Sequence, residues 1–338
     1  YRNYDILNMN FDKNVNIIYG DNAQGKTNIL ESIYFCATSK SHRGSKDKDI
    51  VKFGESESHI KANVIKNDIS YRIDMHLKSN KPKGIAVNGI PIKKAVDLFV
   101  VLFSPEDLNI IKDGPSQRRR FMDMELSQLN KIYLSNLVNF NKVLGQRNKL
   151  LKELAFNPSE EMISSLDIWD MQFERYGKCI IEGRKKFIRE LNLIISEIHS
   201  KLTGGSEKLV VEYVPFVNED ELGSALSEYR KKDIKYKCSC AGPHKDDLVF
   251  NINGKDVRKY GSQGQQRTAA LSLKLSEIYI VKRKIKDTPV LLLDDVLSEL
   301  DSSRQNYLLD SISDIQTLIT CTGLDDFISH QFQINKVF

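Results

Sequence analysis

The sequence predicts an α/β fold: a mixed sheet with an antiparallel β subdomain, assembled from both chain ends, and an α-helical arm inserted between them. Three observations predict it. The apolar run Val15–Tyr19 reads as a buried strand that passes through a glycine-bearing turn straight into an apolar helix. Far along the chain, Val290–Leu293 is a second apolar strand, ending in two acids and followed by another helix. Between these two strand–helix units the apolar residues recur mainly at helical spacing. The expected lobe therefore takes residues 1–115 and 236–338, and the expected arm takes residues 116–235.

After Val15–Tyr19 the first helix runs through Ala37. From His59 to Phe103 the pattern changes to short strands with turn punctuation. Asn67-Asp68 separates one pair, Pro82 and Gly84 mark a bend, and Asn88-Gly89 is a hairpin signal. Leu98–Phe103 is apolar throughout, as in a strand covered on both faces. Beyond Gly114-Pro115, residues such as Phe121, Leu129, Leu137, Leu144 and Leu151 repeat at helical spacing until Pro158 breaks the pattern. A second helical stretch runs from about Ser159 to Leu202 and stops at Gly204-Gly205. Two helices of about 40 residues, each about 60 Å long, are expected to lie antiparallel across this short break. Heptads do not persist, so a long coiled coil is not expected. Then come a hairpin, with Leu248–Ile252 and Asp256–Tyr260 flanking Asn253-Gly254, and a helix from about Gln263 to Ile285. The strand Val290–Leu293, a helix after Ser302 and a last strand, Thr317–Thr320, complete the chain.

Composition excludes several classes. No apolar stretch approaches the roughly 20 residues that span a bilayer, and the N-terminus has no signal-peptide pattern, so a cytoplasmic protein is expected. The five cysteines are odd in number and scattered, which argues against a disulfide framework. Cys238 and Cys240 lack a second Cys/His pair at zinc-site spacing. A net charge of +5 permits nucleic-acid binding without demanding it. The runs Arg118-Arg119-Arg120, Lys185-Lys186, Arg230-Lys231-Lys232 and Lys282-Arg283-Lys284 read first as solvated helix faces.

Two segments carry chemistry. Gly20-Asp21-Asn22-Ala23-Gln24-Gly25-Lys26-Thr27 fits the phosphate-loop pattern G-x-x-x-x-G-K-[ST], with a strand before it and a helix after it. The backbone N–H groups of such a turn and the helix N-terminus attract phosphate. Lys26 can reach the β- and γ-phosphates of ATP, and the Thr27 hydroxyl can ligate Mg²⁺. An acid at the end of a buried strand is costly unless it faces a cation or water. Asp294 therefore suits the holding of Mg²⁺, and Asp295 the orientation or deprotonation of an attacking water.

Ahead of that strand stands Gly261-Ser262-Gln263-Gly264-Gln265-Gln266-Arg267, which resembles the signature of ABC-type ATPases, with Ser262, Gly264 and Gln265 in place. Ser298-Glu299-Leu300-Asp301 resembles the D-loop, with Ser298 and Asp301 as its site residues. Further segments narrow the likeness: Tyr1-Arg2-Asn3-Tyr4, Gly25-Lys26-Thr27-Asn28-Ile29-Leu30-Glu31, Ser41-His42-Arg43, Ser104-Pro105-Glu106-Asp107-Leu108, Gln117 to Asp123, and Gly242-Pro243-His244-Lys245-Asp246-Asp247. Across nearly its whole length the chain resembles the RecF family of ABC/SMC-like ATPases. The resemblance implies an ABC-type P-loop lobe, nucleotide contacts from Gly20 to Asn28 and from Arg2, and slow ATP hydrolysis used as a switch. It also implies that Ser262, Gln263, Gly264 and Gln265 act in trans on the nucleotide of a second copy, so that ATP drives homodimerisation. The implied partners are DNA, gapped, single- or double-stranded and bound without sequence preference, and RecR-like and RecO-like proteins in the loading of RecA.

The chain departs from the ABC pattern at three places. Asp295 replaces the usual glutamate, Ser104-Pro105-Glu106-Asp107 stands where transporters carry a glutamine loop, and Thr320 or Thr322 stands near the expected switch histidine. These departures count against a transporter's ATP-binding subunit. A nucleotide-sensing scaffold that docks only proteins is the other alternative. His42, Arg43, His244, Lys245 and Arg267 are left without an assigned role.

Overall fold

The computed structural model describes residues 1–66, 68–92, 98–323 and 334–338. In chain order its strands and helices are β1 (Val15–Tyr19), α1 (Lys26–Thr38), α2 (Asp47–Ile50), β2 (Glu57–Lys66), β3 (Ile69–Lys78), β4 (Lys81–Val87), β5 (Ile90–Pro91), β6 (Val100–Phe103), α3 (Leu108–Lys112), α4 (Pro115–Leu129), α5 (Lys131–Leu154) and α6 (Glu160–Leu202). They continue with β7 (Leu209–Val214), α7 (Leu222–Tyr236), β8 (Asp247–Ile252), β9 (Lys255–Asp256), α8 (Val257–Tyr260), α9 (Gln263–Ile285), β10 (Val290–Asp294), α10 (Ser302–Ser311), β11 (Thr317–Cys321) and β12 (Lys336–Val337).

The chain divides into two compact units, Tyr1–Asp107 with Val281–Phe338, and Leu108–Ile280. The division differs from the expected 116–235 insert because α3, β8, β9, α8 and most of α9 also fall with the helices. Phe250, Val257, Ala269 and Leu273 share one apolar cluster with Phe121, Phe173 and Phe187.

In the first unit the described strands form a parallel sheet in the order β12-β1-β11-β10-β6. Its central strands are apolar on both faces, as a covered parallel sheet requires: Ile17, Leu291, Leu292, Leu293 and Ile319 have no exposed surface. The antiparallel character lies in a separate sheet, β2-β3-β4-β5. On β3 the alternate residues Ile73, Met75 and Leu77 are buried and pack with Phe35 and Cys36 of α1, while Arg72, Asp74, His76 and Lys78 take the other face. Asn88 and Gly89 both have positive φ, as the hairpin signal required. Of the Asn67-Asp68 turn, Asn67 lies outside the described residues. Pro82 and Gly84 mark no bend: both lie within β4. The pairing of β3 and β4 shifts register between His76 and Lys78, and this irregularity takes the proline that cannot donate to a regular ladder.

In the second unit the expected first long helix is two. Asn130 leaves the helical region (φ −143°) and accepts from the Ile132 and Tyr133 N–H groups, ending α4 and starting α5. The second helix runs 43 residues, capped by Ser159. Packing of Tyr133 by Gly183, Phe140 by Phe173 and Arg147 by Asp170 sets α5 and α6 antiparallel. The hairpin expected through Tyr260 is shorter than its apolar pattern. Asp256 accepts from the Arg258 N–H and turns residues 257–260 into α8.

Three guanidiniums are buried in this unit, and each is paired. Arg118 holds both Asp247 oxygens, at 2.6 and 3.1 Å. Arg147 bridges Asp170 and Asp233, and Arg184 bridges Asp123 and Asp246. The run Arg118-Arg119-Arg120 is therefore not a simple solvated face. Arg118 is 2% exposed, and Arg119 donates to the Asp246 carbonyl.

Candidate nucleotide-binding site

Residues Gly20–Gly25 join β1 to α1 as an open turn, with Asp21, Asn22, Ala23 and Gln24 exposed. Gly25 precedes α1 at φ 96°, and a Cβ there would stand 2.5–2.8 Å from the Asn3 amide and the Tyr4 hydroxyl. Backbone conformation and close approach both demand glycine. Ala23 also has positive φ, an unusual state for a residue with a side chain. A turn of this kind leading into the N-terminus of α1 is the backbone arrangement that binds anions.

Lys26 reaches back over this turn and donates to the Gly20 and Asp21 carbonyls. A carbonyl is a weaker partner for an ammonium than a phosphate oxygen, so this side chain stands where it can exchange one for the other. The Thr27 Oγ1 donates to Asp294 Oδ1 at 2.9 Å, and the Thr320 Oγ1 donates to the same oxygen at 2.7 Å. β10 and β11 pair Asp294 with Thr320 directly, so the sheet register assembles this group. A nearly buried carboxylate beside a threonine hydroxyl is a hard oxygen donor set, and it fits Mg²⁺.

Asp295 follows with φ 52°, in the left-handed region. Its N–H donates to both the carbonyl and the Oγ1 of Thr320, which fix the strained residue in place. Burial pushes the Asp295 carboxyl above its ordinary range, opposed by the Ser298 hydroxyl and reinforced by the Asp294 charge. Ser298 donates to the Asp295 carbonyl, and Asp301 caps α10 by accepting from the Arg304 N–H.

Arg2 is engaged beside the loop. Its guanidinium takes both oxygens of Glu31, at 2.7 and 2.8 Å, and also donates to Ser45 Oγ and the Asp49 carbonyl. Glu31, fully buried on α1, also accepts from Ser41 and Tyr1. Burial alone would raise its carboxyl, but the Arg2 and Ser41 hydrogen bonds hold it below the usual range. The N-terminal segment so anchored lays Asn3 and Tyr4 on the turn, where both donate to the Gln24 carbonyl, while Asn28 donates to Asn3. Arg2 is thus tied to Glu31 rather than free at the loop. The Asn3 and Tyr4 contacts were not anticipated; the one signal was an acid, Glu31, in an apolar helix.

Ser262, Gln263 and Gly264 are exposed and lie in the second unit. Ser262 Oγ accepts from the Gln265 N–H, and Gln265 Oε1 accepts from the Ser262 N–H. This reciprocal capping box starts α9 and leaves the Gly264 backbone at an open helix N-terminus. The Gln265 amide donates to Glu207, whose other oxygen meets buried His199.

Of the remaining candidates, Arg43 lies 4.0 Å from Glu106, and burial depresses the pKa of His42. His244 is packed against Phe140 and Phe173 and bonds the Ser239 carbonyl, a structural setting. Lys245 and Arg267 are exposed. No helix among the described residues is long and apolar enough to cross a membrane.

Comparison with known proteins places this geometry in a family. The family described as RecF/RecN/SMC N terminal domain matches residues 1–329. A protein of Lachnospira eligens named DNA replication and repair protein RecF is 71% identical, over 100% of this chain and 94% of its own length. A protein of the same name from Agathobacter rectalis is 58% identical, again over 100% of this chain and 94% of its own length. Among solved structures, the recombination mediator protein RecF-ATP of the RecFOR pathway superposes with a TM-score of 0.91 at 38% identity, over 96% of this chain and 90% of its own.

Proposed function

The chain belongs to the RecF/RecN/SMC N-terminal domain family, and from that premise we propose that it is a RecF-type ATPase of DNA replication and repair, in which ATP closes a homodimer on DNA. The observation that carries the reading is the convergence of Lys26, Thr27, Asp294 and Thr320 at the carboxyl ends of parallel strands, next to a turn shaped for phosphate.

The turn amides and the N-terminus of α1 receive the phosphates, and Lys26 leaves the Gly20 and Asp21 carbonyls for phosphate oxygens. Thr27 and Asp294 would hold Mg²⁺, which when bound would offset phosphate charge. Asp295 orients the attacking water and accepts its proton, with its backbone held by Thr320. As a shorter acid than glutamate it supports hydrolysis slow enough for a switch. The Ser262-Gln263-Gly264-Gln265 cap, exposed at its first three residues, completes the site of a second copy. Positive side chains then track DNA phosphates without reading sequence, and RecR-like and RecO-like proteins are the partners in loading RecA.

The test is binding of purified protein to gapped, duplex and single-stranded DNA across a salt series, with and without ATP, alongside sedimentation. ATP-dependent dimers and salt-sensitive DNA binding are expected. Monomers at saturating Mg²⁺–ATP would overturn the clamp. DNA binding indifferent to ATP would overturn the switch.

A further inference from the structure

On the exposed face of the β2–β3 hairpin, His59 and His76 are direct cross-strand partners. Their rings stack at 4.0 Å between centroids, 23° from parallel. Glu57, two residues before His59 on the same face, turns its carboxylate toward both: Oε2 lies 3.0 Å from His76 Nε2, and Oε1 lies 3.7 Å from His59 Nε2. One ligand atom from each residue can be chosen such that all lie within 4.8 Å of one another. Lys78, opposite Glu57, shares its carboxylate at 3.1 Å.

We propose that Glu57, His59 and His76 form a surface site for a borderline divalent transition-metal ion of the Zn²⁺ class. Two imidazoles and one carboxylate are the donor set that such ions favour, and a site of three protein ligands keeps a position for water. Atoms bound to one tetrahedral Zn²⁺ stand roughly 3.4 Å apart, so small side-chain rotations close the present spacing. The site is also backed by rigid structure. The opposite face of β3 carries Ile73, Met75 and Leu77, all buried, which hold the hairpin register. In the same cross-strand row the residue beyond His76 is Gly84, so no side chain from β4 crowds that flank. Entry of the ion displaces the Lys78 ammonium from Glu57. The ion then clips β2 to β3, at a place distinct from the Thr27–Asp294 group and independent of the nucleotide chemistry.

Titration of the full chain with Zn²⁺ alone, in millimolar Mg²⁺ and with Cys238→Ser and Cys240→Ser to remove that pair of thiols as competing ligands, tests the site. One equivalent is expected to bind, with shifts of the His59 and His76 ring nitrogens by NMR. His76→Gln and Glu57→Gln should each weaken binding at least about tenfold. Because these positions are at the surface, both variants should fold, which unchanged thermal unfolding without metal checks. Equal zinc affinity in wild type and His76→Gln, or unmoved histidine resonances at saturation, would overturn the proposal.

Discussion

The Thr27 hydroxyl donates to Asp294 at 2.9 Å across a sequence separation of 267 residues. The sheet order sets the pair, because β11 lies between β1 and β10 and brings both strand ends to one edge. Removing either oxygen should spoil Mg²⁺ without unfolding the lobe. Asp294→Asn is expected to lower Mg²⁺-dependent hydrolysis by about 100-fold or more. Steady-state phosphate release, with circular dichroism as the fold control, checks this.

Asp295 makes a separate prediction. In its proposed role as proton acceptor it works ionised, and burial raises its carboxyl above the ordinary range. Hydrolysis should therefore fall as pH drops through that raised value, earlier than a solvated aspartate would allow. Asp295→Asn should lower turnover by about 10²–10⁴ and remove this acid limb, while nucleotide binding by fluorescence titration persists. Loss of binding in parallel with turnover would place Asp295 in phosphate capture instead.

The capping box and the proposed dimer contact are two roles for Ser262 that substitution can separate. Ser262→Ala should cost about 0.5–2 kcal/mol of stability by exposing the N-terminus of α9. Ser262→Arg should leave ATP binding intact and block dimer closure, read by sedimentation with a non-hydrolysable ATP analogue. A Ser262→Arg protein that dimerises as wild type does would remove the signature from the interface.

Arg147 has no exposed surface and spans Asp170 and Asp233. Arg147→Ala leaves Asp233 without a counter-ion in the interior, while Asp170 keeps Arg230, an expected cost of about 3–5 kcal/mol by denaturant unfolding. Replacing the same arginine by Met together with Asp233→Asn should recover part of that loss.

His244 gives the pH dependence of stability. Burial lowers its imidazole from 6.5 to about 4. Between those values the unfolded chain takes up a proton that the folded chain refuses, so stability falls as pH falls from 6.5 toward 4. The expected loss is about 3 kcal/mol. His244→Gln, which can still donate to the Ser239 carbonyl, should flatten that part of the profile. An unchanged profile would assign the loss to other groups.

Local chemistry made much of this legible beforehand. The limits of β1 and α9 follow from apolar runs and glycine turns, which act over neighbouring residues. The strand–turn–helix around Gly20–Thr27 and the strand ending at Asp294 could be named because their spacing and flanks carry the signal. Contacts between distant segments were not legible. Nothing near Asn3 or Tyr4 announces that Gly25 must leave room for them, and the pairing of Arg118 with Asp247 depends on packing alone. Pro82 misled because a bulge can absorb what a regular strand rejects. β7 and α7 were missed because their apolar residues acquire meaning only against α6.

The strand order has a consequence for synthesis at the ribosome. β1 emerges first, yet both of its sheet neighbours, β11 and β12, come from the last part of the chain. At about 5–20 residues per second, β1 waits roughly 15–60 s for them, while the residues of the second unit have emerged and can already fold. Through that interval its apolar side chains and the unpaired N–H and C=O groups of its edges stay uncovered. The parallel sheet therefore closes only once the strands at the far end of the chain have arrived.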